Sequence, residues 1–351
     1  MCVVVTVTCG TRIIQQGSDH SMSRSSSKEG MSLGHQESLF EDEALRSAVL
    51  SNLGLSSEQS LDAEVVANKV ISISAPEVGI LSLRGIEACK SLKELFLAGN
   101  LIDDLEPLRQ MQSLTDLDVS YNQLSDLDGL QSLTRLETLG LDGNCEVTDI
   151  SALAGLTKMR LLSATDMQIK VISPLAKLTS MEGMRLARNT IRSLEPLKLM
   201  STLSDLQLEG NHVSDLTPLA DLKSLQCLDL RENRISRVAP LARLTSLVHL
   251  YLTRNRIVDV GPLRELRNLR FLSIEENALE DIGFVEGLTQ LEWLMLAGNN
   301  ITDIGPIVEN EGISAGAFLS LLGNPLDRSE RSTAQKQISV LRERGVNVLY
   351  F

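Results

Sequence analysis

Aromatic side chains are scarce in this sequence. One tryptophan, three tyrosines and six phenylalanines make up 3% of its 351 residues, against 43% hydrophobic residues in all. A core of that composition has to be built from aliphatic side chains. Histidine occurs four times, and His20 and His35 stand in a polar N-terminal stretch. The five cysteines (Cys2, Cys9, Cys89, Cys145, Cys227) are odd in number and show no CxxC spacing. That argues against a disulfide framework or a zinc site, and unpaired thiols fit a reducing compartment better than a secreted one. No apolar run is long enough to form a membrane-spanning helix. The net charge of −13 speaks against a binder of nucleic acid and for a protein that faces neutral or basic partners. The phosphate-binding GxxxxGK and GxGxxG signatures and the zinc-protease HExxH are all missing. Asp126-Leu127-Asp128-Gly129 echoes a calcium loop but lacks the alternating ligands and the distal Glu. No catalytic, cofactor-binding or metal residue is assigned, and no cofactor is expected.

What the chain does have is a period. From Thr202 to Arg267 it divides into three lines of 22 residues, with leucine or an aliphatic stand-in at positions 2, 5, 7, 12, 15, 18 and 21. Asparagine holds position 10 and proline position 17. The register begins at Lys69 and runs through Gln290, with one extra residue near Cys145 and a few more over Glu309–Ser314. Self-similarity at a fixed period marks a solenoid, here of about eleven repeats. Inward positions 5 and 7 alternate with polar 4, 6 and 8, the signature of a short strand in a parallel sheet. Asn100, Asn122, Asn144, Asn189, Asn211, Asn233, Asn255, Asn277, Asn299 and Asn324 fall where the chain leaves each strand. A buried amide at that point satisfies backbone groups the turn leaves unpaired, so these residues are read as structural. On the return side, Asp-aliphatic-x-Pro-Leu (Asp104–Leu108, Asp215–Leu219, Asp259–Leu263) opens a single helical or 3-10 turn. Too few residues remain for anything longer, which puts the sheet on the concave side.

The ends differ from the array. Residues 1–39 are Ser-, Gly- and Gln-rich and read as a disordered tail. Its opening MCVVVTVTC is apolar but short for a signal sequence and without a basic leader. This leaves open a remnant of a targeting segment or a misassigned start codon. Leu45, Ala48, Val49 and Leu53 line one helix face that Gly54 ends, and a second short helix, N-capped by Ser60, runs through Leu61, Val65 and Val66. Together they make an N-terminal cap over 40–68. Repeats fill 69–313, and 314–351 forms a C-terminal cap: half a repeat, a helix over Ser329–Arg344 and a last strand over Val346–Phe351.

These repeats resemble the leucine-rich repeat superfamily, and within it the 22-residue class of internalins and related bacterial proteins. The phrase Asn299–Ile307 carries the likeness, as do Phe40–Val49 at the start and Gly323–Asp327 with Arg344–Val348 at the end. The resemblance covers roughly 40–351 and implies an α/β fold, a right-handed leucine-rich repeat solenoid capped at both ends. It also implies protein recognition on the concave sheet without cofactor or catalysis. Regulatory subunits of protein phosphatase type 1 share the repeat class, although the Pro-Leu convex turns here fit the internalin side better. Internalins carry a secretion signal and surface-anchoring modules, neither of which is evident. The expected chain is therefore a monomeric cytoplasmic scaffold with a protein partner. The alternatives are an enzyme's regulatory subunit, or an internalin-like secreted or cell-surface adhesin if the start truncates a signal sequence.

The candidate contacts come from strand positions 4, 6 and 8. Upstream they offer an acidic cluster, Asp116, Asp118 and Asp142; in the middle stand Arg185, Asp229 and Arg231. Downstream, His249, Phe271 and Trp293 at position 4, with Tyr251 and Met295 at position 6, are expected to touch as an aromatic stripe. One irregularity interrupts the array. The repeat from Arg135 has the extra residue, and the next has Met167 for asparagine and Ala164 for leucine. Two adjacent defects predict a hinge, unless they are simple drift of the repeat.

Overall fold

The computed structural model describes residues 39–350. The expected disordered tail, including the apolar opening, lies outside the described residues but for Leu39. Strands of three residues recur once per repeat: β1 Ser72–Ser74, β2 Glu94–Phe96, β3 Asp116–Asp118, β4 Thr138–Gly140, β5 Leu161–Ser163 and β6 Gly183–Arg185. They continue as β7 Asp205–Gln207, β8 Cys227–Asp229, β9 His249–Tyr251, β10 Phe271–Ser273, β11 Trp293–Met295, β12 Phe318–Ser320 and β13 Asn347–Leu349. All thirteen form one parallel sheet in chain order, β1 through β13. Equivalent residues pair across neighbouring strands, Leu228 with Leu250 and Leu250 with Leu272. A side chain therefore has its counterparts from the repeats before and after on either side, about 4.8 Å away.

The convex side carries the returns. Most are 3-10 turns, such as Glu106–Gln110, Ala239–Arg243 and Gly261–Glu265, with proline within their first two positions. Proline has no N–H to waste there and its φ is preset for the turn. Between sheet and turns runs one column of buried aliphatics. Cys89 takes a leucine position in that column, and burial pushes its thiol up to about 12.

The asparagines hold the turns as the sequence predicts, and each serves the repeat before its own. Asn211 Oδ1 accepts from Ile191 N–H at 2.9 Å, and its Nδ2 donates to Leu186 O at 2.8 Å and Leu208 O at 3.0 Å. Asn233 repeats the pattern toward Val213 and Leu208. Val78 replaces asparagine in the first copy, which has no preceding repeat to serve. Met167 has no side-chain amide to bond the backbone, yet the turn it should close is closed from within. The extra residue near Cys145 lets Val147 N–H donate to Asn144 O at 3.1 Å instead. Insertion and substitution thus compensate each other.

A second regularity escaped the sequence. Position 9, just after each asparagine's strand, has a left-handed backbone in every copy, whether the residue is Gly99 (φ 73°), Tyr121 (φ 55°), Arg188 (φ 50°) or Glu232 (φ 54°). Glycine adopts this conformation freely, while other residues do so at some cost that the stacked repeats over-determine.

At the N-terminal end, α1 (Glu43–Asn52) and α2 (Ala63–Lys69) cover the first repeat. The expected cap residue of α2 is corrected: Asp62, not Ser60, accepts from Glu64 N–H and Val65 N–H, because the helix begins two residues later than the pattern suggested. Asp42 caps α1 through Leu45 N–H and also accepts from Leu81 N–H at 2.8 Å, tying helix to repeat. Burial alone would raise its pKa, but these backbone donors outweigh it and hold the carboxyl below its ordinary value.

At the other end, α3 (Gly305–Glu309) precedes the insertion, and α4 (Thr333–Glu343), N-capped by Ser332, packs against it. The insertion is clamped by a buried asparagine that the repeat does not announce. Asn310 Nδ2 donates to Val285 O and Leu288 O, while Arg344 donates to Val308 O at 2.8 Å and Asn310 O at 3.1 Å. Among the described residues no helix is long and apolar enough to cross a membrane.

Candidate protein-binding face

The inner surface of the sheet carries all the candidate contacts, since period-2 alternation sends positions 4 and 6 away from the core. It divides into three zones. Downstream, position 4 brings rings together across successive strands. Tyr251 lies 4.8 Å from Phe271 between ring centroids, Phe271 lies 6.5 Å from Trp293, and Trp293 lies 5.1 Å from Phe318. His249 sits 6.4 Å from Phe271. These separations fall within or close to the range over which aromatic pairs interact favourably. Trp293 remains 47% exposed, and Met295 stands beside it on β11. Phe318 extends the stripe by one strand. The sequence offers it as a packing partner for Phe271 and Trp293 beside the cap rather than as a contact, because the insertion displaces its repeat from the simple 22-residue count.

In the middle, charge is used up internally. Asp229 is only 6% exposed, and Arg231 Nε donates to both of its carboxylate oxygens at 3.0 Å. The same guanidinium reaches Glu209 at 2.8 Å and lies 5.4 Å over the Tyr251 ring. Glu209, half-buried beside this group, has its pKa raised by desolvation against the pull of Arg231. Two rungs at the left-handed position add to this. Arg188 pairs with Asp166 at 2.5 Å, and Arg254 bridges Glu232 at 2.8 Å and Glu276 at 2.9 Å. Arg160 with Glu182 and Arg270 with Glu292 pair in the same way along position 3. Asp229 is thus a supporting residue for Arg231 more than a contact of its own.

Upstream, the face sinks. A cavity of about 500 Å³ opens over β3–β7, with Asp118, Asp142, Leu161, Ser163 and Arg185 among its walls. It exists because side chains are missing: positions 4 and 6 hold Gly140, Ser163 and Gly183 there. A Cβ on Gly140 would stand 2.6 Å from the Asp118 carboxylate, and one on Gly183 would stand 2.9 Å from Leu161 Cδ2. Asp142 is fixed by the Ser163 hydroxyl at 2.7 Å and by Thr165 N–H at 2.7 Å. Asp118 accepts from Ser120 N–H at 3.0 Å. The structure therefore brings Asp118, Asp142 and Arg185 into one site and leaves Asp116 outside it, where the Thr115 hydroxyl donates to it at 2.7 Å. The run of small residues at consecutive outward positions was the available signal. It escapes a reading of the outward positions that looks for charged and aromatic side chains, which finds Asp142 and Arg185 and passes over the small residues between them.

Among the described residues no group of His, Cys, Asp and Glu is placed to hold a metal ion. The Asp126–Gly129 segment is a convex turn in which Asp128 N–H donates to Asp126 Oδ1.

Comparison with known proteins follows the fold. Residues 112–155 and 223–265 match the family model described as Leucine Rich repeats (2 copies). No curated protein matches the sequence. Among solved structures, internalin F from Listeria monocytogenes is 26% identical with a TM-score of 0.76, covering 89% of this chain and 96% of its own. Internalin C2 from the same organism is 33% identical with a TM-score of 0.51, covering 69% of this chain and 94% of its own. The plant peptide hormone receptor RGFR1, solved in complex with RGF2, shares the fold at 17% identity and a TM-score of 0.69, over 85% of this chain and 50% of its own.

Proposed function

From the premise that this chain belongs to the leucine-rich repeat proteins of the 22-residue, internalin-like class, we propose that it is a non-catalytic scaffold binding a protein partner on its concave sheet. The observation that carries this reading is the ring platform of Tyr251, Phe271, Trp293 and Phe318, which spans four strands with a half-exposed tryptophan. Scarce aromatics gathered on one outward stripe have the composition of an interface hot spot. The neighbouring ion pairs fix its margin without competing for a partner. The RGFR1 complex shows that an array of this fold can carry a peptide ligand. Likeness to internalins favours an adhesion or receptor-binding role, and with it a secreted or cell-surface location over the cytoplasmic one.

The test is capture. Immobilised wild-type chain should retain a protein that the Phe271→Ala/Trp293→Ala double variant loses, with melting temperatures of the two chains nearly equal. A folded double variant that still captures the same protein would end the proposal. Retention of a phosphatase catalytic subunit through the concave face would replace the adhesin reading by the regulatory-subunit one.

A further inference from the structure

We propose that the cavity over β3–β7 is a subsite for an arginine or lysine side chain of the bound protein. The inference rests on the concave-face reading above and gives that partner a chemical requirement. Three features of the cavity fit a long cationic side chain. Its length is accommodated by a depression of about 500 Å³, built by the absence of side chains at Gly140 and Gly183. The aliphatic stem has an apolar wall in Leu161, a position-4 residue 47% exposed on the inner face. Long basic side chains commonly lay their methylenes along such a surface while the head stays polar. The head meets carboxylates that have no cation of their own: among the described residues Asp118, Asp142 and Asp205 enter no ion pair, whereas Glu182, Asp166, Glu209, Asp229, Glu232, Glu276 and Glu292 do, and the other unpaired inner-face acids Glu94, Asp116 and Glu275 lie outside the cavity.

The excess negative charge has a measurable neighbour. Burial first, then Asp142 and Asp166, raise the Tyr121 phenol above its ordinary value. Arg185 on the β6 side repels a cationic head and confines it to the Asp118 and Asp142 side. The geometry of that side is rigid, because Ser163 and Thr165 hold Asp142 in place. A neutral side chain of equal shape would meet the same walls but gain nothing from the carboxylates.

The full chain, labelled with nitrogen-15, is titrated with N-acetyl-arginine amide and, separately, with its uncharged isostere N-acetyl-citrulline amide. Arginine amide should give saturable shifts at the amides of Gly140, Ser163 and Gly183, and citrulline amide should bind at least tenfold more weakly. Asp118→Asn should weaken arginine binding several-fold, and Gly183→Leu should abolish it by filling the depression. Leu161→Ala, which removes only the wall, guards against a Gly183→Leu chain that misfolds and should weaken binding as well. Equal response to arginine and citrulline, or no saturable response, overturns the proposal. So does arginine binding that survives a folded Gly183→Leu, since it would then be attraction to surface charge alone. Trp293→Ala separates the two readings: it should abolish partner capture and leave the arginine response intact. Arginine binding without Trp293-dependent capture would sink the aromatic platform and spare the cavity, and the reverse would do the opposite.

Discussion

Replacing Asn211 by alanine isolates what one rung of the asparagine ladder contributes. Four bonds vanish: Ile191 N–H loses its acceptor, Leu186 O and Leu208 O each lose a donor, and Glu209 O loses a long 3.4 Å contact while keeping Arg188 N–H. The losses are unequal. Leu186 O keeps Asn189 Nδ2 and Leu208 O keeps Asn233 Nδ2, so neither carbonyl is left bare. Ile191 N–H, in a buried turn, has no second partner among the described residues. An orphaned buried donor costs about 1–3 kcal/mol and each net hydrogen bond about 1 kcal/mol, which places the total near 2–4 kcal/mol. Urea melts at constant slope should show that loss. Asn211→Leu, which restores volume but not the acceptor, should lose nearly as much. Amide exchange should quicken at Ile191, in the preceding repeat, while Val213 in the mutated repeat keeps its acceptor Asn233. A loss below about 1 kcal/mol, or faster exchange at Val213 but not at Ile191, would refute the claim that each asparagine serves the repeat before it.

Other perturbations test the ends and the irregular middle. Gly85→Ala forces a Cβ to 2.0 Å from Leu39 O at a φ of +100°; the left-handed backbone alone costs about 1–2 kcal/mol, so an unchanged melting temperature would contradict the packing of Leu39 and Phe40 on this turn. Asp42→Ala removes a helix cap worth about 1 kcal/mol and the tie to Leu81. Because the folded carboxyl titrates below its ordinary value, that stability is present above about pH 4 and lost as pH falls through the folded pKa, so the difference between wild type and variant in pH-dependent melts should shrink toward acid. With Val147 N–H satisfied inside its own turn, exchange at 158–179 should be as slow as at 224–245; markedly faster exchange would restore the hinge expected from Met167 and Ala164.

The scaffold was legible because its causes are local and repeated. Leucine at position 5, asparagine at 10 and proline at 17 each act within one repeat or between neighbours, so most of the eleven copies state the same rule. The aromatic stripe followed from that register, since a period that aligns Phe271 with Trp293 in sequence aligns them in space. Three things were not legible. The cavity depends on what Gly140, Ser163 and Gly183 leave out, and an absent side chain has no hydrophobic signal. The burial of Asp229 depends on a salt-bridged neighbour one repeat away, Glu209, acting through Arg231. The closure of the turn near Cys145 depends on an insertion that reads, in sequence, only as a defect.

The left-handed position carries a further consequence, for the order of the repeats. Glycine at Gly99, Gly143, Gly210 and Gly298 sets no charge condition on the copies beside it at that point. Where the position is charged, neighbours have opposite sign: Asp166 before Arg188, then Glu232, Arg254 and Glu276. Leucines are the same in every copy and would accept any sequence of modules. The charges would not. Exchanging the repeats that begin at Ser224 and Ser246 would set Arg254 beside Gly210, and Glu232 beside Glu276, two like charges in one rung. The core thus says that these units stack, and the rim says which unit follows which. An array engineered by duplication would have to preserve this alternation, or insert its new copies at the glycine rungs, where the addressing is blank.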